Sequence, residues 1–92
     1  MTDKVHSHEE ILAHLKNDLK DELEDIIKYD ALHKSLMAHG LFKEASDVQA
    51  IASDEYTHAC AIKKMLEAHA VDTSSNAELT QLWDKVYDVF DD

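Results

Sequence analysis

Proline is absent from this 92-residue chain, glycine occurs once, at Gly40, and cysteine once, at Cys60. With so few breakers, little interrupts a helix. A lone cysteine cannot form an internal disulfide and implies no oxidising compartment. Arginine is missing as well: all nine basic residues are lysines, set against 20 Asp and Glu, for a formal charge of −11. Nucleic acid calls for a basic patch, often rich in arginine, and an anionic membrane repels such a chain, so neither is an expected partner. No apolar run approaches the ~20 residues needed to span a membrane. Met1 to His8 holds no apolar segment of the signal-peptide kind, so the expected location is cytoplasmic.

Ala, Leu, Glu and Lys are plentiful, and alternating Val/Ile/Thr runs are absent. That pattern predicts an all-α protein, a single domain over 1–92. Ser7 and Glu10 form a capping-box pair that opens a first helix, about 8–39. Gly40 closes it as a C-cap residue. A second helix runs about 42–69. A polar link follows, with Ser75 and Glu78 as a second capping-box pair, and then a short third helix, about 76–90. Leu79, Leu82, Trp83, Val86, Val89 and Phe90 share one face of that helix and read as core or interface. The ends, residues 1–6 and Asp91-Asp92, read as loose. The acidic surface serves plain solubility, and it also suits the steering of divalent cations.

The stretch Asp54-Glu55-Tyr56-Thr57-His58-Ala59 stands out. Glu55 and His58 lie one turn apart on one helical face, which also carries Val48, Ile51, Ala52, Ile62, Met65 and Leu66. A carboxylate and an imidazole on an apolar stripe each need a partner, because an unpaired buried charge is costly. In the first helix an apolar seam steps through Leu15, Leu19, Ile26 and Leu36, widened by Leu12, Leu23, Leu32 and Met37; the same steps pass through Glu22, Tyr29 and His33. Two helices joined at Gly40 pack antiparallel. Glu22 lies 18 residues before Gly40, while Glu55 and His58 lie 15 and 18 after it. At ~1.5 Å per residue all three stand roughly 22 to 27 Å from the turn, at one level. A metal ion satisfies them; the alternative is a polar cluster that sets dimer register.

A two-helix hairpin leaves an apolar trough open, and a twofold pair of hairpins closes it as a four-helix bundle. The axis then gathers four glutamates and two histidines, a di-iron or di-manganese ligand set. Other polar residues read more plainly. His33 is a packed histidine, Cys60 packs off the seam, and His6, His8 and His14 lie on a solvated N-terminal face able to take metal adventitiously.

Glu22 followed seven residues later by Tyr29, together with the D-E-x-x-H-A form of residues 54–59, resembles the ferritin-like superfamily, and most closely the encapsulated ferritins, which are half-ferritin chains. The resemblance covers most of residues 8–90. It implies a hairpin with a short third helix, dimerising into a ferritin-like bundle, and a ferroxidase that oxidises Fe(II) with O2 for iron storage or detoxification. By it, Glu22 and His58 ligate iron, Glu55 bridges two irons across the dimer, and Tyr29 hydrogen-bonds a ligand carboxylate. Asp21 and Glu24 look like the acidic residues of an iron-uptake path. Di-iron is the implied centre, with Mn2+, Zn2+ or Ca2+ as substitutes. The implied partners are a homodimer, a ring of dimers and an encapsulin shell. Two departures stand: Lys28 occupies a place often aromatic in the family, and the sequence reads Asp91-Asp92 where such cargo usually ends in a small and apolar targeting tail.

Overall fold

The absence of proline lets α1, His8–Ala38, run unbroken for 31 residues, and α2, Phe42–Ala68, for 27. The computed structural model describes residues 7–90; His6 and the rest of 1–6, with Asp91-Asp92, lie outside the described residues. After α2 a short 3-10 turn, Thr73–Ser75, leads into α3, Ala77–Phe90. The fold is all-helical. Among the described residues no helix is long and apolar enough to cross a membrane.

Local chemistry sets the ends. Ser7 caps α1 through the Glu10 N–H at 3.1 Å, and the Glu10 carboxylate accepts from the Ser7 N–H at 2.9 Å, so two free donors of the first turn are satisfied reciprocally. At the other end Gly40 takes φ +74°, and the chain closes with Leu41 N–H on the Leu36 carbonyl at 2.9 Å and Gly40 N–H on Met37 at 3.0 Å. This is a Schellman turn, which calls for the left-handed conformation at its central residue. The end of α2 repeats it without a glycine: Val71 N–H bonds the Leu66 carbonyl and Ala70 N–H bonds Glu67, both at 3.0 Å, while Ala70 sits at φ +62°. The cap of α3 falls one residue later than the sequence pattern predicts. Asn76 accepts from the Leu79 N–H at 3.0 Å, and Ser75 instead turns its hydroxyl back to the Asp72 carbonyl at 2.8 Å. Asparagine is as good a cap as serine, and the 3-10 turn has already used the Ser75 side chain.

α1 packs against both α2 and α3, and the core lies where the three helices meet. It consists of Leu19, Leu23 and Ile26 from α1, Ala59 and Leu66 from α2, and Leu79, Trp83 and Val86 from α3. The expected seams are rotated. Leu23, read as a flanking residue, is fully buried, whereas Leu32 and Met37 are exposed. On α2 the buried line is Ala45, Ala52, Ala59 and Leu66, spaced by seven, while Ile51 and Met65 stand exposed. The alanines let α1 approach closely, and α3 then covers that side of the hairpin. Tyr56 ties α3 to α2: its ring lies 6.3 Å from Trp83, edge to face, and 4.8 Å from Phe90. Trp83 is core as expected, while Phe90 stays 38% exposed. Cys60 packs against the core, as read from sequence.

Ala70 bears a Cβ in a conformation that costs an L-residue about 1–2 kcal/mol, part of which glycine gives back through its freer unfolded chain. Ala70→Gly is therefore expected to stabilise the protein by about 0.5–1 kcal/mol, raising Tm by about 2–8 °C in a chain this small. Thermal unfolding followed by circular dichroism measures it, and a lower Tm would contradict the strain assignment.

Candidate metal centre

Glu22 comes from the middle of α1, and Glu55 and His58 from the middle of α2. The Gly40 turn sets them level, and the structure brings all three together: one donor atom from each lies within 4.8 Å of the others. Among the described residues this is the one group of three or more His, Cys, Asp or Glu able to hold an ion. The Glu22 Oε2 atom lies 3.3 Å from His58 Nδ1. That approach is an ion-pair distance without hydrogen-bond alignment, and this one oxygen of the Glu22 carboxyl is buried with no aligned hydrogen bond. The Glu22 side chain is 22% exposed and His58 61% exposed. The cluster therefore has a more covered side, at Glu22, and an open side, at His58.

The electrostatics follow from this placement. Burial pushes the Glu22 carboxyl above its ordinary value of 4.5. The Glu55 carboxyl beside it pushes the same way, first as a hydrogen-bond partner and then as a like charge, while His58 opposes both. A cation between the two carboxylates would reverse the penalty. Three donors on one ion at ~2.1 Å stand about 3.0 to 3.6 Å from one another, so the widest pair would have to close by about 1 to 2 Å, within reach of side-chain rotation. An orphaned buried carboxylate oxygen, a second carboxylate and an imidazole thus fit a divalent cation. Carboxylates favour harder ions such as manganese and iron(II), and the imidazole admits iron and zinc.

Other residues singled out in the sequence fall outside the group. Asp21 and Glu24 are exposed and do not join it. Tyr29 is half-buried and lines a small cavity of about 40 Å³ with Asp30, His33, Gln49, Ala52, Val89 and Phe90. The Lys28 ammonium lies 5.6 Å from its ring centre. His33 is a packed histidine: its Nδ1–H donates to the Ala45 carbonyl at 2.9 Å, fixing the tautomer and tying α1 to the start of α2. His58 departs most from expectation, since the rotation of the core toward α3 leaves it exposed rather than on a buried stripe.

No protein-family model matches the chain, and no curated protein or solved structure does either.

The raised Glu22 carboxyl has a consequence for stability. The unfolded chain loses this proton near the ordinary value of 4.5, before the folded chain does. Stability from this group therefore falls as pH rises from that value through the higher folded one. In metal-free protein Glu22→Gln is expected to raise Tm at pH 7, by a margin that shrinks toward pH 4.5. Added metal should reverse the order, because ion at 100 times its Kd stabilises only the intact site, by about 2.7 kcal/mol. Melting curves with chelator and with Fe(II) or Mn(II) under argon provide the check. A metal-free E22Q protein less stable than the parent at pH 7 would remove the claim.

Proposed function

We propose that the chain is a ferroxidase whose site is completed by a second copy of itself. The observation that carries this reading is the convergence of Glu22, Glu55 and His58 from the middles of α1 and α2, with the His58 side chain open to solvent. Three donors are half of a carboxylate-bridged pair of metal positions. A twofold mate supplies the other half, giving four glutamates and two histidines. Apolar side chains flank the group in the way an interface requires: Ile51 is 43% exposed one turn before Glu55, and Met65 50% exposed two turns after His58. Docking them would dry the open side of the cluster.

In this reading iron is the substrate. Two Fe(II) ions give one electron each to O2, which takes up two protons; the products are two Fe(III) and one hydrogen peroxide. The part played by the chain is electrostatic. Fixed carboxylates favour Fe(III) over Fe(II), because they face the extra positive charge without having to reorganise. Glu22 and His58 would serve as ligands at either end and Glu55 between the two positions, the roles that the half-ferritin resemblance implies. Tyr29, two turns from Glu22, would orient a ligand carboxylate from outside, and Asp21 and Glu24 would attract iron along the acidic face of α1. The same resemblance extends the proposal to a ring of dimers and to a cytoplasmic encapsulin shell around it.

A metal-dependent dimeriser without turnover would use the same cluster, and one set of measurements separates the two. Native mass is recorded with and without Fe(II), and O2 consumption is followed beside absorbance of Fe(III). The expected result is a metal-promoted dimer or larger assembly that oxidises iron well above the rate of free Fe(II). Glu55→Ala should bring that rate down to the free-iron background. Full O2 uptake by Glu55→Ala would end the catalytic reading, whereas assembly without accelerated oxidation would leave the dimeriser.

A further inference from the structure

At the open end of the hairpin, opposite Gly40, the first residue of α1 meets the residue that caps α2. These are His8 and His69, whose ring centres lie 5.1 Å apart with planes at 66°. We propose that this pair is a second metal site, a two-histidine clip for a borderline divalent transition metal of the zinc or copper class. It is independent of the site proposed for iron. His69 lies eleven residues beyond His58, roughly 16 Å along the helix.

The spacing of the rings carries the proposal. An imidazole nitrogen binds zinc at about 2.0–2.1 Å and sits about 1.1 Å from its ring centre, placing the metal about 3.2 Å from each centre. Two such rings at the tetrahedral angle have centres about 5.2 Å apart; at a right angle, about 4.5 Å. The observed 5.1 Å between centres is close to the tetrahedral value, so turning the rings in place would suffice to aim a nitrogen of each at one ion. Both residues are exposed, so their rings are free to turn a nitrogen toward a common point. Neutral imidazole is the ligand these ions prefer over carboxylate alone.

The helix dipoles offset one another here, His69 lying at the negative carboxyl end of α2 and His8 at the positive amino end of α1, and Glu9 beside His8 adds a negative charge to that first turn. The net charge of −11 raises the local concentration of divalent ions. Among the described residues no third His, Cys, Asp or Glu joins the pair, so water completes the coordination. Such a site is exchangeable rather than permanent. Its physical effect is to pin the start of α1 to the end of α2, closing the hairpin at the end where no turn does.

The test uses the full chain carrying Glu22→Gln and Glu55→Gln, so that zinc reports on the clip alone. Zinc chloride is titrated by calorimetry, and the imidazole C2–H resonances are followed by NMR. One zinc per chain is expected, shifting the His8 and His69 resonances together. His69→Asn and His8→Asn, each at an exposed position, should weaken binding at least about tenfold with circular dichroism unchanged. Zinc bound as tightly by the His69→Asn protein would assign the ion to N-terminal histidines alone and overturn the proposal. Failure of the parent to bind zinc would overturn it too.

Discussion

The register fixed by the three-residue turn at Gly40 is the constraint on which everything else depends. Gly40 adopts φ +74°, and two hydrogen bonds back to Leu36 and Met37 leave the chain one direction in which to start α2. Heights along the two helices are then locked together. One residue more or less in the turn would rotate α2 by about 100° and carry Glu55 and His58 away from Glu22. The alanines at 45, 52 and 59 let the helices close on each other at that register. A carboxylate on α1 is thereby forced against a carboxylate on α2, and burial leaves Glu22 Oε2 without a hydrogen bond. Metal-free protein carries this as a local penalty, and a cation bound there would turn the same arrangement into an attraction.

The second determinant is that α3 covers one side of the hairpin only. Its aromatic residues dock against α1 and reach Tyr56 of α2, drawing the core toward that side. The opposite side keeps Ile51, Met65 and the His58 imidazole in contact with solvent. The three-helix arrangement thus leaves the Glu22, Glu55 and His58 group at the edge of what it buries. In the proposed function three donors are too few for an iron pair, and a twofold mate would be the source of the rest.

Much of this was legible in the order of residues. The missing prolines and the single glycine require two long helices with one break. Ser7 with Glu10 marks where the first begins. Counting outward from Gly40 sets Glu22, Glu55 and His58 at one height, which is simple arithmetic on helical rise. His33 and Cys60 also read plainly, as packed residues rather than as chemistry. The His8–His69 contact is not visible in the sequence, where His8 groups with His6 and His14; only the antiparallel return of α2 brings His69 to it.

By itself, then, the sequence determined which segments are helical, where the hairpin turns and which polar residues share a level. These follow from local propensities and from distance along the chain, which are properties of near neighbours. Only the tertiary structure decided which part of each apolar stripe is dry. Periodicity defines a stripe about 100° wide, and the docking of Trp83 and Phe90 against Tyr56 selects the portion of it that is buried. That selection made alanines rather than Ile51 and Met65 the buried line of α2, left His58 open to solvent, and placed Ala70 in a turn that suits glycine.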